Sequence, residues 1–164
     1  LKNDIEDLQT IIKNQAETIE EQERTIAGLQ EKALNPYANI KLTAEEEDVF
    51  SWVLALEAKN EPEIGRRAVV ETACNRYLSD EWKGDTIGAI LSAAGQYDGY
   101  KILQEYRAGM RTSLYAHPDE SEKETIRYVL SHGNTALPLD YVYFATYKAN
   151  GKDFIQIGNH YFGR

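Results

Sequence analysis

The sequence predicts an α+β protein, in which a mostly helical head closes on a small antiparallel sheet and follows one long coiled-coil helix. Three observations carry this. A heptad repeat fills residues 1–33, helix caps and helical apolar spacing recur from Thr43 to His132, and aromatic and β-branched runs take over from Tyr141. The boundaries that follow are a coiled coil over 1–34, a linker over 35–42 and a head over 43–164.

In the rod, Ile5, Ile12, Ile19, Ile26 and Ala33 recur every seventh residue, with Leu1, Leu8, Gln15, Gln22 and Leu29 interleaved. Ile at a with Leu at d favours two parallel strands, so a homodimer is expected. Gln15 and Gln22 put polar groups in the middle of the seam, which fixes register and chain number at a cost in stability. The alternative is a single amphipathic helix lying on the head; the strict heptad period and polar outer face speak against it. Asn35-Pro36 ends the helix, because the residue before proline avoids helical backbone.

The head opens on a capping box, Thr43 to Glu46, and the acidic run Glu45–Asp48 suits the positive end of a helix dipole. Phe50, Val53 and Leu54 mark the buried stripe of this helix, and its next position is Glu57. A carboxyl group facing inward loses hydration, which raises its pKa; most such groups are structural, and some are catalytic. Pro62 breaks the helix, and a second runs from Glu63 to Leu78 with Val69, Val70, Ala73, Cys74 and Tyr77 inward. Cys74, the one cysteine, excludes an intrachain disulfide and reads as an inert buried thiol. Glu71, on the polar side, is a second candidate carboxylate that reads first as a surface charge. Short helices follow over Thr86–Ala93 and Tyr100–Tyr106, around a loop from Gly95 to Gly99. Another spans Asp119 to His132 and closes at Gly133. Tyr141–Phe144 and Phe154–Ile157 read as strands, with Asn150-Gly151 as a hairpin signal between them.

Composition narrows the function. Apolar residues make up 42% of the 164, enough for one core. The net charge of −9, much of it before residue 49, excludes a nucleic-acid partner, which needs a clustered basic face. No apolar run approaches the ~18 residues of a membrane span. The chain begins at Leu1 rather than Met, which reads as a fragment, upstream of which a signal peptide or membrane anchor could have stood. His117, His132 and His160 form no zinc-type spacing with one another or with Cys74, and no glycine-rich phosphate loop occurs, so neither metal nor cofactor is expected. What remains is one inward glutamate in a head rich in tyrosine, whose flat face and hydroxyl suit sugar rings.

The run Leu56-Glu57-Ala58-Lys59-Asn60-Glu61-Pro62, then Gly65, Asn75-Arg76, Gln96-Tyr97, Tyr143-Phe144 and finally Ile157-Gly158-Asn159-His160-Tyr161-Phe162 resembles the SleB/CwlJ cell-wall hydrolases in order and spacing. These include the spore cortex-lytic enzymes, and the match spans the whole head. The resemblance implies a lysozyme-like domain that cleaves the glycan strand of peptidoglycan, as a lytic transglycosylase or a muramidase, outside the membrane of a bacterium or from its phage or mobile element. It makes Glu57 the catalytic acid, in agreement with the inward position of that residue. It puts Glu61 beside the acid and Gln96, Tyr97, Tyr143 and Phe144 along the glycan groove. Asn159 and His160 then hold the last strand, with His160 structural before catalytic. Two positions depart from the family: Asn60 stands where glycine is usual, and Thr146 near where asparagine is usual, which removes a sugar contact. The alternative from another class is a non-catalytic wall-binding or assembly protein that keeps the fold.

Overall fold

A computed structural model describes residues 2–148 and 153–164, which divide into two compact units, 1–36 and 37–164. The first unit is one continuous helix, α1 (Lys2–Leu34). Ile5, Leu8, Ile12, Ile19, Ile26 and Leu29 stand in solvent in the single chain, Ile12 at 64% and Ile19 at 54% exposure. No helix among the described residues is long and apolar enough to cross a membrane.

The head contains α2 (Ala44–Ala58), α3 (Glu63–Leu78), α4 (Ile87–Ser92), α5 (Asp98–Arg107) and α6 (Glu120–His132), then β1 (Tyr143–Ala145), β2 (Phe154–Ile157) and β3 (His160–Gly163). It is a lysozyme-like α+β arrangement, mostly helical with a three-stranded antiparallel sheet at the end. The capping box of α2 forms, with the Thr43 hydroxyl accepting from Glu46 N–H and the Glu46 carboxylate accepting from Thr43 N–H. α2 packs against α3, α4, α5 and α6, so its buried surface is wider than one stripe and includes Ser51, Ala55, Leu56 and Ala58. A helix enclosed on most sides needs apolar residues all round.

The start of the head comes earlier than expected. Tyr37 and Ile40, in the segment read as a linker, are buried in the main core, and the Tyr37 hydroxyl donates to Asn75 Oδ1 at 2.7 Å. Pro36 does end the rod, but the chain after it has apolar side chains that the core takes up.

The sheet order is β1-β3-β2, so the two strands expected to form a hairpin do not pair with each other. Each pairs with β3, Phe144 opposite Phe162 and Ile155 also opposite Phe162. The tight hairpin is instead β2–β3, turning at Gly158, whose φ of +60° few other residues adopt. Asn150-Gly151 lies outside the described residues.

Two side chains bind α3 to the sheet. Asn75 Nδ2 donates to the carbonyls of Pro138 and Tyr141, and Arg76 Nε donates to that of Val142 at 2.6 Å. Glu71 is a correction: it is fully buried, not a surface charge. Its carboxylate accepts from the backbone N–H groups of Thr135, Ala136 and Leu137 and from the Thr135 hydroxyl. Burial pushes its pKa up, and the donated hydrogen bonds oppose that.

Candidate active site

Glu57 sits in the last turn of α2, and that turn is fixed from several sides. Lys59 Nζ, just past the helix, makes ion pairs at 2.8 Å with Asp119 and 3.0 Å with the buried Glu122, at the start of α6. On another side the first turn of α5 approaches closely. Gly99 N–H donates to Glu57 Oε1 at 2.6 Å. A Cβ on residue 99 would stand 3.0 Å from Leu56 Cβ and 3.1 Å from the Val53 carbonyl, so glycine is what permits the approach.

The Glu57 carboxyl is half-buried, and its pKa is raised. Burial is the main cause and the negative charge of Asp98 adds to it, while the Gly99 N–H and the Arg76 guanidinium pull the other way. Arg76 is itself only 2% exposed. It makes no ion pair among the described residues and lies instead among aromatic rings, its Cζ 4.3 Å from the centre of Trp82 and 4.9 Å from that of Tyr97.

Two adjoining hollows of about 340 Å3 and 250 Å3 meet at Glu57, Thr146 and His160, which line both. The first extends past Leu56, Asn60, Glu61 and Tyr115; the second past Gln96, Asp98, Phe144 and Tyr147. The two hollows thus share an acidic group, and together they are the candidate cleft. Among the described residues no three His, Cys, Asp or Glu side chains gather as a metal site.

No protein-family model and no curated protein matches this chain. Two solved structures do. One is the catalytic domain of the germination-specific lytic transglycosylase SleB from Bacillus anthracis, with a TM-score of 0.56 and 17% identity over 75% of this chain and 97% of that one. The other is the catalytic domain of the Bacillus cereus SleB protein, with a TM-score of 0.57 and 17% identity over 76% and 93%. The head has the SleB catalytic-domain fold.

On this SleB frame the residues singled out from sequence separate into groups. Glu57, Glu61, Gln96, Phe144 and His160 all line the cleft. Glu61 is tied to the β2–β3 turn, its carboxylate accepting at 2.9 Å from both Asn159 N–H and Asn159 Nδ2. A side chain at Gly158 would collide with that carboxylate, so this glycine serves the clamp as well as the turn. His160 is buried, with Nδ1 3.6 Å from Glu61 Oε1, and burial lowers its pKa, which keeps the ring neutral near pH 7.

Tyr97 and Tyr143 are corrections. Tyr97 is 3% exposed and belongs to the core, its ring 5.7 Å from Phe144 and under the guanidinium of Arg76. It lines neither hollow and packs against Phe144, which does. Tyr143 turns to the other face of β1, against Trp82 at 5.8 Å. Successive strand residues face opposite ways, so only one of Tyr143 and Phe144 can reach the cleft. Sequence reasoning missed Asp98, Gly99, Tyr115 and Tyr147. The Asp98-Gly99 pair read as loop, although an aspartate opening a helix was a usable signal. Tyr115 and Tyr147 lie in irregular segments where no periodicity points to them.

Proposed function

We propose that the head cleaves the glycan strand of peptidoglycan, with Glu57 as general acid and then base. The observation that carries this is a half-buried carboxyl group, biased towards its protonated form, that lines both adjoining hollows. The lytic transglycosylase activity named for the Bacillus anthracis SleB domain, which shares the fold, supports the same reading. Glu57 donates its proton to the glycosidic oxygen, the bond from that oxygen to C1 breaks, and the departing sugar keeps the proton. The Gly99 N–H and the positive charge of Arg76 stabilise the carboxylate left behind. That carboxylate then takes the proton of the 6-hydroxyl on the same muramic acid as its oxygen bonds to C1, closing an anhydro ring.

Asp98 favours a second reading. It lines the same hollow as Glu57, and a second carboxylate there could activate water and give a hydrolysing muramidase. Mass analysis of products from purified peptidoglycan separates the two, since an anhydro end is one water lighter than a reducing end. The non-catalytic alternative predicts no turnover at all. We also infer that the head works outside the membrane and that two chains pair in parallel through the Ile/Leu seam of α1.

Glu57→Gln preserves shape but removes the proton, so cleavage falls by roughly 10²–10⁴-fold. Near-normal turnover by this variant would pass the role to another group.

A further inference from the structure

We propose that Tyr115 and Tyr147 are sugar-stacking platforms, one in each of the two hollows that share Glu57, so that the site grips pyranose rings on both sides of that residue. This rests on the glycan-cleaving reading and extends it to the subsites. The two rings are 69% and 70% exposed, unusual for side chains of this size, and each lines a different hollow. Glu57 belongs to both hollows, so the tyrosines flank it.

Tyr115 is held in place by its surroundings. Its neighbours Leu114 and Ala116 are buried in the second core cluster with Ala55, Leu56 and Leu103, which fixes the loop on either side and turns residue 115 outward. Its hydroxyl donates at 2.8 Å to the carbonyl of Leu56, in the last turn of α2. That carbonyl is one of those a helix end leaves without an intrahelical partner. The ring is therefore anchored one residue from Glu57 while its apolar face remains open to solvent. A flat aromatic face with little freedom left to lose suits the C–H face of a sugar, because ordering costs little on binding. Tyr147 follows β1 and lines the other hollow together with Gln96 and Asp98.

A purely structural Tyr115 would act through its hydroxyl, as a cap on α2. Peptide-stripped glycan strands, fractionated by length, test the difference by calorimetric titration into the full-length Glu57→Gln chain. Affinity should rise with length until both rings are reached. Adding Tyr115→Ala or Tyr147→Ala should weaken the longer strands by about 5- to 10-fold, the size of one aromatic contact, and leave the shortest nearly unaffected. Tyr115→Phe, which keeps the ring and loses the anchoring hydroxyl, should lose clearly less affinity than Tyr115→Ala. Equal loss in Phe and Ala variants, or no loss in either Ala variant, overturns the proposal. Ring-dependent binding by a wild-type chain that never cleaves peptidoglycan would sink the catalytic reading and leave the platforms standing.

Discussion

Glu57 has opposite demands placed on it by its neighbours. Burial and Asp98 favour the proton, and Gly99 N–H and Arg76 favour the charge. His160 and Glu61 also line the cleft; His160 is neutral, and Glu61 has its carboxylate taken up by Asn159. The net shift is upward, so the cleavage rate should hold at acid pH and decline as pH rises through the raised pKa, because the protonated form is the donor. The same shift affects folding. Between the ordinary glutamate value and the raised one the native head binds more protons than the unfolded chain, so stability falls as pH rises across that window. Glu57→Gln should remove the rate dependence and reduce the stability dependence, to which the buried Glu71 also contributes, as rate profiles and thermal melts at several pH values would show. This residue was legible because the stripe set by Phe50 and Val53 extends to it. Glu71 was not. α3 is buried on nearly every face, so its polar side also lies inside, and the donors that hold Glu71 come from a distant loop.

At the scale of elements, the site depends on how α5 meets α2. The sequence suggested a helix beginning at Tyr100, but it begins at Asp98, and those two residues bring a backbone N–H to the acid. Local propensity could not show this, since Asp-Gly is as common in turns as at helix starts and the packing against Val53 and Leu56 decides. Gly99→Ala would place a methyl group 3.2 Å from Glu57 Oε1 and closer still to α2. Pushing the helices apart should cost about 1–3 kcal/mol in stability and lower turnover by more than the melting shift alone explains. Denaturant titration beside initial rates would show it, and unchanged kinetics would mean that α5 is only a prop. The sheet gives the converse case: its strands were legible from their aromatic runs, but their order was not. Pairing of β1 with β3 follows from contacts across the sheet, and a hairpin signal carries no information about them.

For the molecule as a whole, the Ile/Leu seam of α1 carries the proposed pairing. We expect light scattering to give a dimer for the full chain. A chain beginning after Pro36, so that Tyr37 and Ile40 are kept for the core, should be a monomer. Ile12→Asp with Ile19→Asp should match that truncation, since two charges would be buried in the seam. A monomeric full-length chain at micromolar concentration would remove the pairing. The single cysteine, meanwhile, makes the head report on itself. Cys74 lies fully buried in the main core with its thiol pKa pushed up by burial, so it is both inaccessible and short of thiolate. A thiol-reactive dye can reach it only in molecules whose core has opened, and α1 carries no thiol to confuse the signal. The labelling rate should therefore track the opening equilibrium of the head, the same in monomer and dimer if the rod is only a joint, and slower in the dimer if pairing braces the fold.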